Sequence, residues 1–92
     1  MSHLPAHGIT LYSTGSCMYC MMAKRLLAAK GVTPAEIDVG SDRAQLGEMM
    51  SRSGRRTVPQ IFIGERHIGG YDDLLALDRQ GQLDALLARS GA

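Results

Sequence analysis

Two short β-prone runs, Ile9 to Ser13 and Ala35 to Val39, flank one helix-length stretch, and no other feature limits the fold of this 92-residue chain as strongly. Strands joined through a helix lie parallel by the right-handed crossover rule and need cover on both faces of their sheet. The intervening stretch sets Ala23, Leu26 and Leu27 on one helical face, with Lys24 and Arg25 turned outward and Gly31 as its stop. After Val39, Asp42 with Gln45 resembles a capping pair for a second helix that buries Leu46, Met49 and Met50 and ends near Ser53-Gly54. Gln60-Ile61-Phe62-Ile63 and Arg66-His67-Ile68 flank Gly64-Glu65 and predict a hairpin. A helix follows Gly69-Gly70, capped by Asp72 or Asp73 with Leu74, Leu75 and Leu77 facing inward, and a last one after Gly81 buries Leu83, Leu86 and Leu87. The predicted order is β-α-β-α-β-β-α-α, an α/β fold with a four-stranded mixed sheet flanked by helices.

A single domain spanning 1–92 is expected, with 1–7 as a flexible N-terminal extension. Hydrophobic residues at 45% and charged residues at 21% can supply a folded core. A net charge of +1 gives no global field to draw the chain onto nucleic acid or anionic lipid. No apolar run approaches the roughly 20 residues of a membrane helix, and the start Met1-Ser2-His3-Leu4-Pro5 lacks a signal-like apolar segment, so the expected compartment is the cytoplasm.

The only cysteines are Cys17 and Cys20. Two are too few for a disulfide-framed scaffold, and a zinc site would need two more ligands; a lone C-x-x-C in a reducing cytosol reads first as redox chemistry. Three-residue spacing at a helix start puts both sulfurs on one face, within reach of one reversible disulfide. Unpaired N–H groups and the macrodipole stabilise a thiolate there, so Cys17 is the expected nucleophile. Cys20, one turn inside, is the expected resolving thiol, placed to attack a mixed disulfide on Cys17.

Three further segments invite chemistry. Thr57-Val58-Pro59 precedes an apolar strand; its proline cannot donate to a ladder, a cis bond is one option, and the Val58 backbone is then an edge on which an extended thiol peptide pairs. A plain strand start is the competing reading. Gly69-Gly70-Tyr71-Asp72-Asp73 joins a close-approach glycine pair to two carboxylates, suited to an ammonium group or to ordinary helix capping. Arg55 and Arg56 suit a carboxylate at the opposite end, or form a solvated basic pair. His3, His7 and His67 have no metal-ligand spacing with the cysteines; His67 reads as structural.

Taken together, C-M-Y-C after a strand, T-V-P before a strand and G-G-Y-D-D before a helix resemble the three signature segments of glutaredoxins, over nearly the whole chain. The stretch Thr57 to Asp73 looks especially like the small bacterial dithiol members. The resemblance implies a thioredoxin-like fold and a redox-active centre at Cys17 and Cys20. It implies glutathione as reductant and cosubstrate, surrounded by Tyr19, Thr57, Val58, Pro59, Gly70, Tyr71, Asp72 and Asp73, with no metal. Two positions depart from the family. Met18 stands where a proline usually follows the nucleophile, replacing a rigid φ and restoring an N–H donor, which alters the redox poise. The lysine often found just before the nucleophile is absent from Ser13-Thr14-Gly15-Ser16, leaving Arg55 or Arg56 as the substitute carboxylate anchor.

The function implied is glutathione-dependent reduction of protein disulfides and of protein–glutathione mixed disulfides by a monomer. The alternative is an iron–sulfur scaffold in which two chains and two glutathiones hold a [2Fe–2S] centre through Cys17; the C-G-F-S signature and tryptophan-containing segment of such relatives are missing here, where Trp is zero. A third candidate, a reductant for ribonucleotide reductase that draws on thioredoxin reductase, can carry C-M-x-C but usually departs from T-V-P and G-G-x-D-D.

Overall fold

The computed structural model describes residues 8–91. Eight elements follow in the expected order: β1 (Ile9–Ser13), α1 (Met18–Ala29), β2 (Ala35–Asp38), α2 (Arg43–Ser53), β3 (Gln60–Ile63), β4 (Arg66–Gly69), α3 (Tyr71–Arg79) and α4 (Gln82–Gly91). The strands lie side by side as β2-β1-β3-β4. The β1–β2 pair is parallel, as a crossover through α1 requires, and the β1–β3 and β3–β4 pairs are antiparallel. The expectation for 1–7 lies outside the described residues.

Alternation along β1 and β3 divides the apolar residues between the two faces of the sheet. Ile9, Leu11, Ile61 and Ile63 meet Ala23 and Leu27 of α1, Leu74 of α3, and Leu83 and Leu87 of α4. Tyr12 and Phe62 point the other way and meet Met49 of α2. A fully buried Leu or Ile contributes about 1.5–3 kcal/mol, so the face under α1, α3 and α4 carries most of the hydrophobic stabilisation. Leu46 and Met50 are only partly buried, packed against the α2 side.

Local signals hold at most helix ends. Past α1, Gly31 N–H donates to the Ala28 carbonyl at 2.9 Å and Val32 N–H to that of Leu27 at 3.1 Å, the paired bonds of a Schellman stop. Asp42 caps α2 by accepting the Gln45 backbone N–H at 3.1 Å. Gln45 does not complete a capping pair, since its buried Oε1 finds no partner among the described residues. The N-cap residue of α3 is Gly70, and of the two carboxylates expected to cap the helix it is Asp73 that does so, reaching back from the third helical position. One expectation for α3 needs correction. Leu75 falls with Asp72 and Arg79 on the outer side of the helix, because successive residues turn by about 100° and Leu74 takes the core direction.

Candidate active site

The chain leaves β1 at Ser13, turns through Thr14-Gly15-Ser16, and enters α1 with Cys17 as the N-cap. Cys17 has extended backbone (φ −90°, ψ 113°), which aims its sulfur back over the first turn, where Sγ accepts the Cys20 backbone N–H at 3.1 Å. This is the geometry of a serine or aspartate cap with sulfur as acceptor. No acidic residue stands in that turn to compete with negative charge on the sulfur. The Cys17 thiol also lies 3.7 Å from the Val58 carbonyl oxygen. Cys20, on the next turn, is buried. Both cysteines are free thiols.

Burial, first, and hydrogen bonding with Cys17, second, push the Cys20 thiol up from its ordinary 9.0 to about 12. A polar cluster stands behind it, where buried Ser13 donates its hydroxyl to Glu36 Oε2 at 2.7 Å and Lys24 Nζ reaches the same oxygen at 3.0 Å. Ser13 first and Lys24 second hold the Glu36 carboxyl below its ordinary value. Sequence reasoning missed this cluster, although Lys24 follows Cys20 by four residues and so shares its side of α1.

Beside Val58 opens a cavity of about 270 Å³. Tyr19 and Tyr71 form one wall, their rings stacked with centroids 6.2 Å apart. Opposite lies the segment Thr57-Val58-Pro59, with a cis peptide bond before Pro59. Gly70, Asp72 and Asp73 close the end at the α3 N-terminus, and Arg55 joins them. The eight residues expected around the tripeptide thus share one cavity. Of the two arginines left open by the sequence, Arg55 lines it and Arg56 does not. Gly54 explains how: its left-handed conformation (φ 71°) ends α2 and directs the next residue toward the cavity.

Asp73 sits three residues into α3 and reaches back, accepting the Gly70 N–H at 2.9 Å and the Arg55 guanidinium at 3.1 Å, both on Oδ2. The Gly70 N–H first and Arg55 second hold its carboxyl below the ordinary 3.8. Helix cap and charged cavity wall are therefore one side chain. Gly69 makes this possible, because at φ 118° a side chain would be strained and a Cβ there would stand 2.7 Å from Asp73 Cγ.

Among the described residues, no group of three His, Cys, Asp or Glu side chains is arranged to hold a metal ion. No helix among them is long and apolar enough to cross a membrane. His3 and His7 lie outside the described residues, and His67 sits on β4 against Phe62, ring centroids 4.9 Å apart.

The glutaredoxin sequence profile matches residues 9–68. The chain is 52% identical to glutaredoxin 3 of Escherichia coli over 79 residues, which covers 86% of this chain and 95% of the relative. It is 49% identical to a glutaredoxin of Pseudomonas aeruginosa over 80 residues, covering 87% and 95%. Among solved structures, a buckwheat glutaredoxin–glutathione complex superposes with a TM-score of 0.84 at 32% identity, covering 91% of this chain and 79% of that one. The solution structure of a glutaredoxin from Brucella melitensis gives 0.76 at 51% identity, with 86% of each chain covered. A strand, a capping cysteine and a second buried thiol, read with these likenesses, place the chain in the glutaredoxin family of glutathione-dependent thiol–disulfide oxidoreductases.

Proposed function

We propose that Cys17 is the attacking thiolate, that Cys20 resolves, and that glutathione lies in the cavity between Tyr19, the Thr57–Pro59 segment and the start of α3. The observation that carries this reading is the Cys17 sulfur itself, which caps a helix, accepts an N–H at 3.1 Å, and touches the Val58 carbonyl where the cavity begins.

In the first step the Cys17 thiolate attacks the glutathione sulfur of a protein–glutathione mixed disulfide. A Cys17–glutathione disulfide forms and the protein thiolate leaves; a second glutathione thiolate then attacks, giving glutathione disulfide and restoring the Cys17 thiolate. With a protein disulfide, Cys17 first bonds to one protein sulfur. Cys20 then attacks Cys17, closes the Cys17–Cys20 disulfide and releases the reduced protein, and two glutathiones reopen that disulfide. Burial is the main cause of the raised Cys20 value, and bonding Cys17 to a partner removes only the smaller opposition from the Cys17 sulfur.

Arg55 and Asp73 suit the two charges of an amino-acid zwitterion, the carboxylate to the guanidinium and the ammonium to Asp73. One chain carries both thiols and the cavity, so a monomeric single domain suffices. Free thiols suit a reducing compartment such as the cytoplasm. Protein substrates would reach Cys17 over the start of α1, where Met18, Tyr19, Met21 and Met22 are exposed.

The deciding assay is turnover of a glutathione mixed disulfide by glutathione with glutathione reductase, run beside a visible absorption spectrum of freshly purified protein. Turnover with a colourless protein is expected. A coloured, inactive protein would favour the bridged iron–sulfur dimer, and activity only with thioredoxin reductase would favour the ribonucleotide reductase reductant.

A further inference from the structure

Gln60 is a fully buried polar residue that opens β3. Its amide nitrogen donates to the Thr57 carbonyl at 3.1 Å and to the Thr57 hydroxyl oxygen at 3.2 Å. Its Oε1 faces His67 Nε2 at 2.7 Å. The Thr57 carbonyl can only accept, so the nitrogen end of the amide must face it and the oxygen end must face the histidine. An amide oxygen also only accepts, and His67 Nε2 must therefore carry the proton. The polar groups thus form a one-way chain, His67 to Gln60 to Thr57, running from β4 through the interior to the cavity wall.

Each link has a reason to stay in place. Burying an amide without partners costs about 1–3 kcal/mol, which favours the arrangement in which Gln60 keeps Thr57 and His67 as partners. His67 is held by its contact with Phe62, a ring that also packs edge-on against Tyr12 and carries the Arg52 guanidinium 4.1 Å from its centroid. Thr57 has no strand of its own, because the segment before Pro59 cannot join the β3 ladder.

We propose that Gln60 is a positioning residue for the thiol substrate: with His67 as its anchor it ties Thr57 back, and so sets the Val58 carbonyl beside the Cys17 sulfur. This rests on the reading that the cavity binds glutathione. Gln60 touches no reacting atom and acts through the backbone that substrate pairs with, so its loss should weaken substrate binding more than it slows the chemical steps.

Two measurements test this. In the unaltered protein at about pH 8, nitrogen NMR of the His67 ring should find the proton on Nε2. Gln60→Met, which keeps volume and removes the amide, should raise the Michaelis constant for a small glutathione mixed disulfide about tenfold with kcat within about twofold. If that variant fails to fold, His67→Phe removes the anchoring donor and should raise the same constant by about threefold or more. A proton on Nδ1 in the unaltered protein overturns the proposal, as does a folded variant with lowered melting temperature and unchanged Michaelis constant. If the unaltered protein does not turn over the glutathione substrate at all, the functional reading falls instead, and the NMR result still decides the hydrogen-bonded chain.

Discussion

Arg55 and Asp73 pair with each other at the cavity, guanidinium nitrogen to carboxylate oxygen at 3.1 Å, and each side chain remains nearly half exposed. A solvated pair of this kind is worth about 0–1 kcal/mol, so a zwitterion can separate it at little cost and satisfy both charges. Arg55→Ala should therefore raise the Michaelis constant for glutathione substrates while the melting temperature stays nearly constant. The same constant in the unaltered protein should rise with salt, because exposed charges are screened within about 8–10 Å at physiological ionic strength. A salt-independent constant would separate Arg55 from binding.

Asp73 has two duties that different substitutions divide. Asp73→Ala removes both charge and acceptor; losing the bond to Gly70 should cost about 1 kcal/mol, near 4–8 °C in melting temperature for a domain of this size, and the Michaelis constant should rise as well. Asp72 lines the cavity beside it, but the Gly70 N–H is bonded to Asp73 and not to Asp72. Asp73→Asn keeps an oxygen for the Gly70 N–H, so it should melt close to the unaltered protein yet bind glutathione poorly. Equal binding in both variants would leave Asp73 a cap and nothing more.

Acid titration should show the same carboxylate. The folded state holds Asp73 below its ordinary 3.8, chiefly through the Gly70 N–H, so its stabilising contribution is complete well above that pH and is lost as pH falls through the lowered folded value. Glu36, lowered from 4.5 chiefly by the Ser13 hydroxyl, acts in the same direction. The melting-temperature gap between the unaltered protein and Asp73→Ala should shrink on going from pH 6 toward about pH 3, and a gap that widens would contradict the sign.

The two thiols should separate cleanly by mutation and by pH. Cys17→Ser should abolish all exchange. Cys20→Ser should keep reduction of glutathione mixed disulfides and lose dithiol reduction of protein disulfides, since glutathione replaces the resolving thiol only in the former. With Cys20 pushed up to about 12, alkylation of Cys20 should stay slow through neutral pH and accelerate only in strong alkali. Its raised value also means that stability present below about pH 9, the ordinary thiol value, is lost as pH climbs toward 12.

The exposed methionines give a test that spares the catalytic centre. Met21→Gln with Met22→Gln, both on the outer side of α1, should lower activity on a protein disulfide several-fold and leave turnover of a small glutathione mixed disulfide unchanged. Parallel losses on both substrates would remove the docking role.

Periodicity made the element order readable, because each strand and helix buries a face whose spacing is written locally. The placement of Cys17 at the entry of α1 and of Cys20 inside it was readable for a similar reason, since both lie within one helical turn. What escaped depends on pairings far apart in sequence. Gln60 looks like one more residue of the run up to Ile63, and only the β3–β4 hairpin shows that its partners are Thr57 and His67. Arg55 could not be chosen over Arg56 without the left-handed turn at Gly54. Asp73 read as a candidate cap, but its reach back to Gly70 across Gly69 required the turn itself.

The order β2-β1-β3-β4 leaves two short outer strands of four residues each. On β2, Glu36 and Asp38 are exposed and carry carboxylates along the free border, with Lys24 folded over Glu36. A strand from another molecule seeking to extend the sheet would have to add beside those charges, over a length that offers few hydrogen bonds in return. The same charged border that completes the fold thus discourages fibre growth.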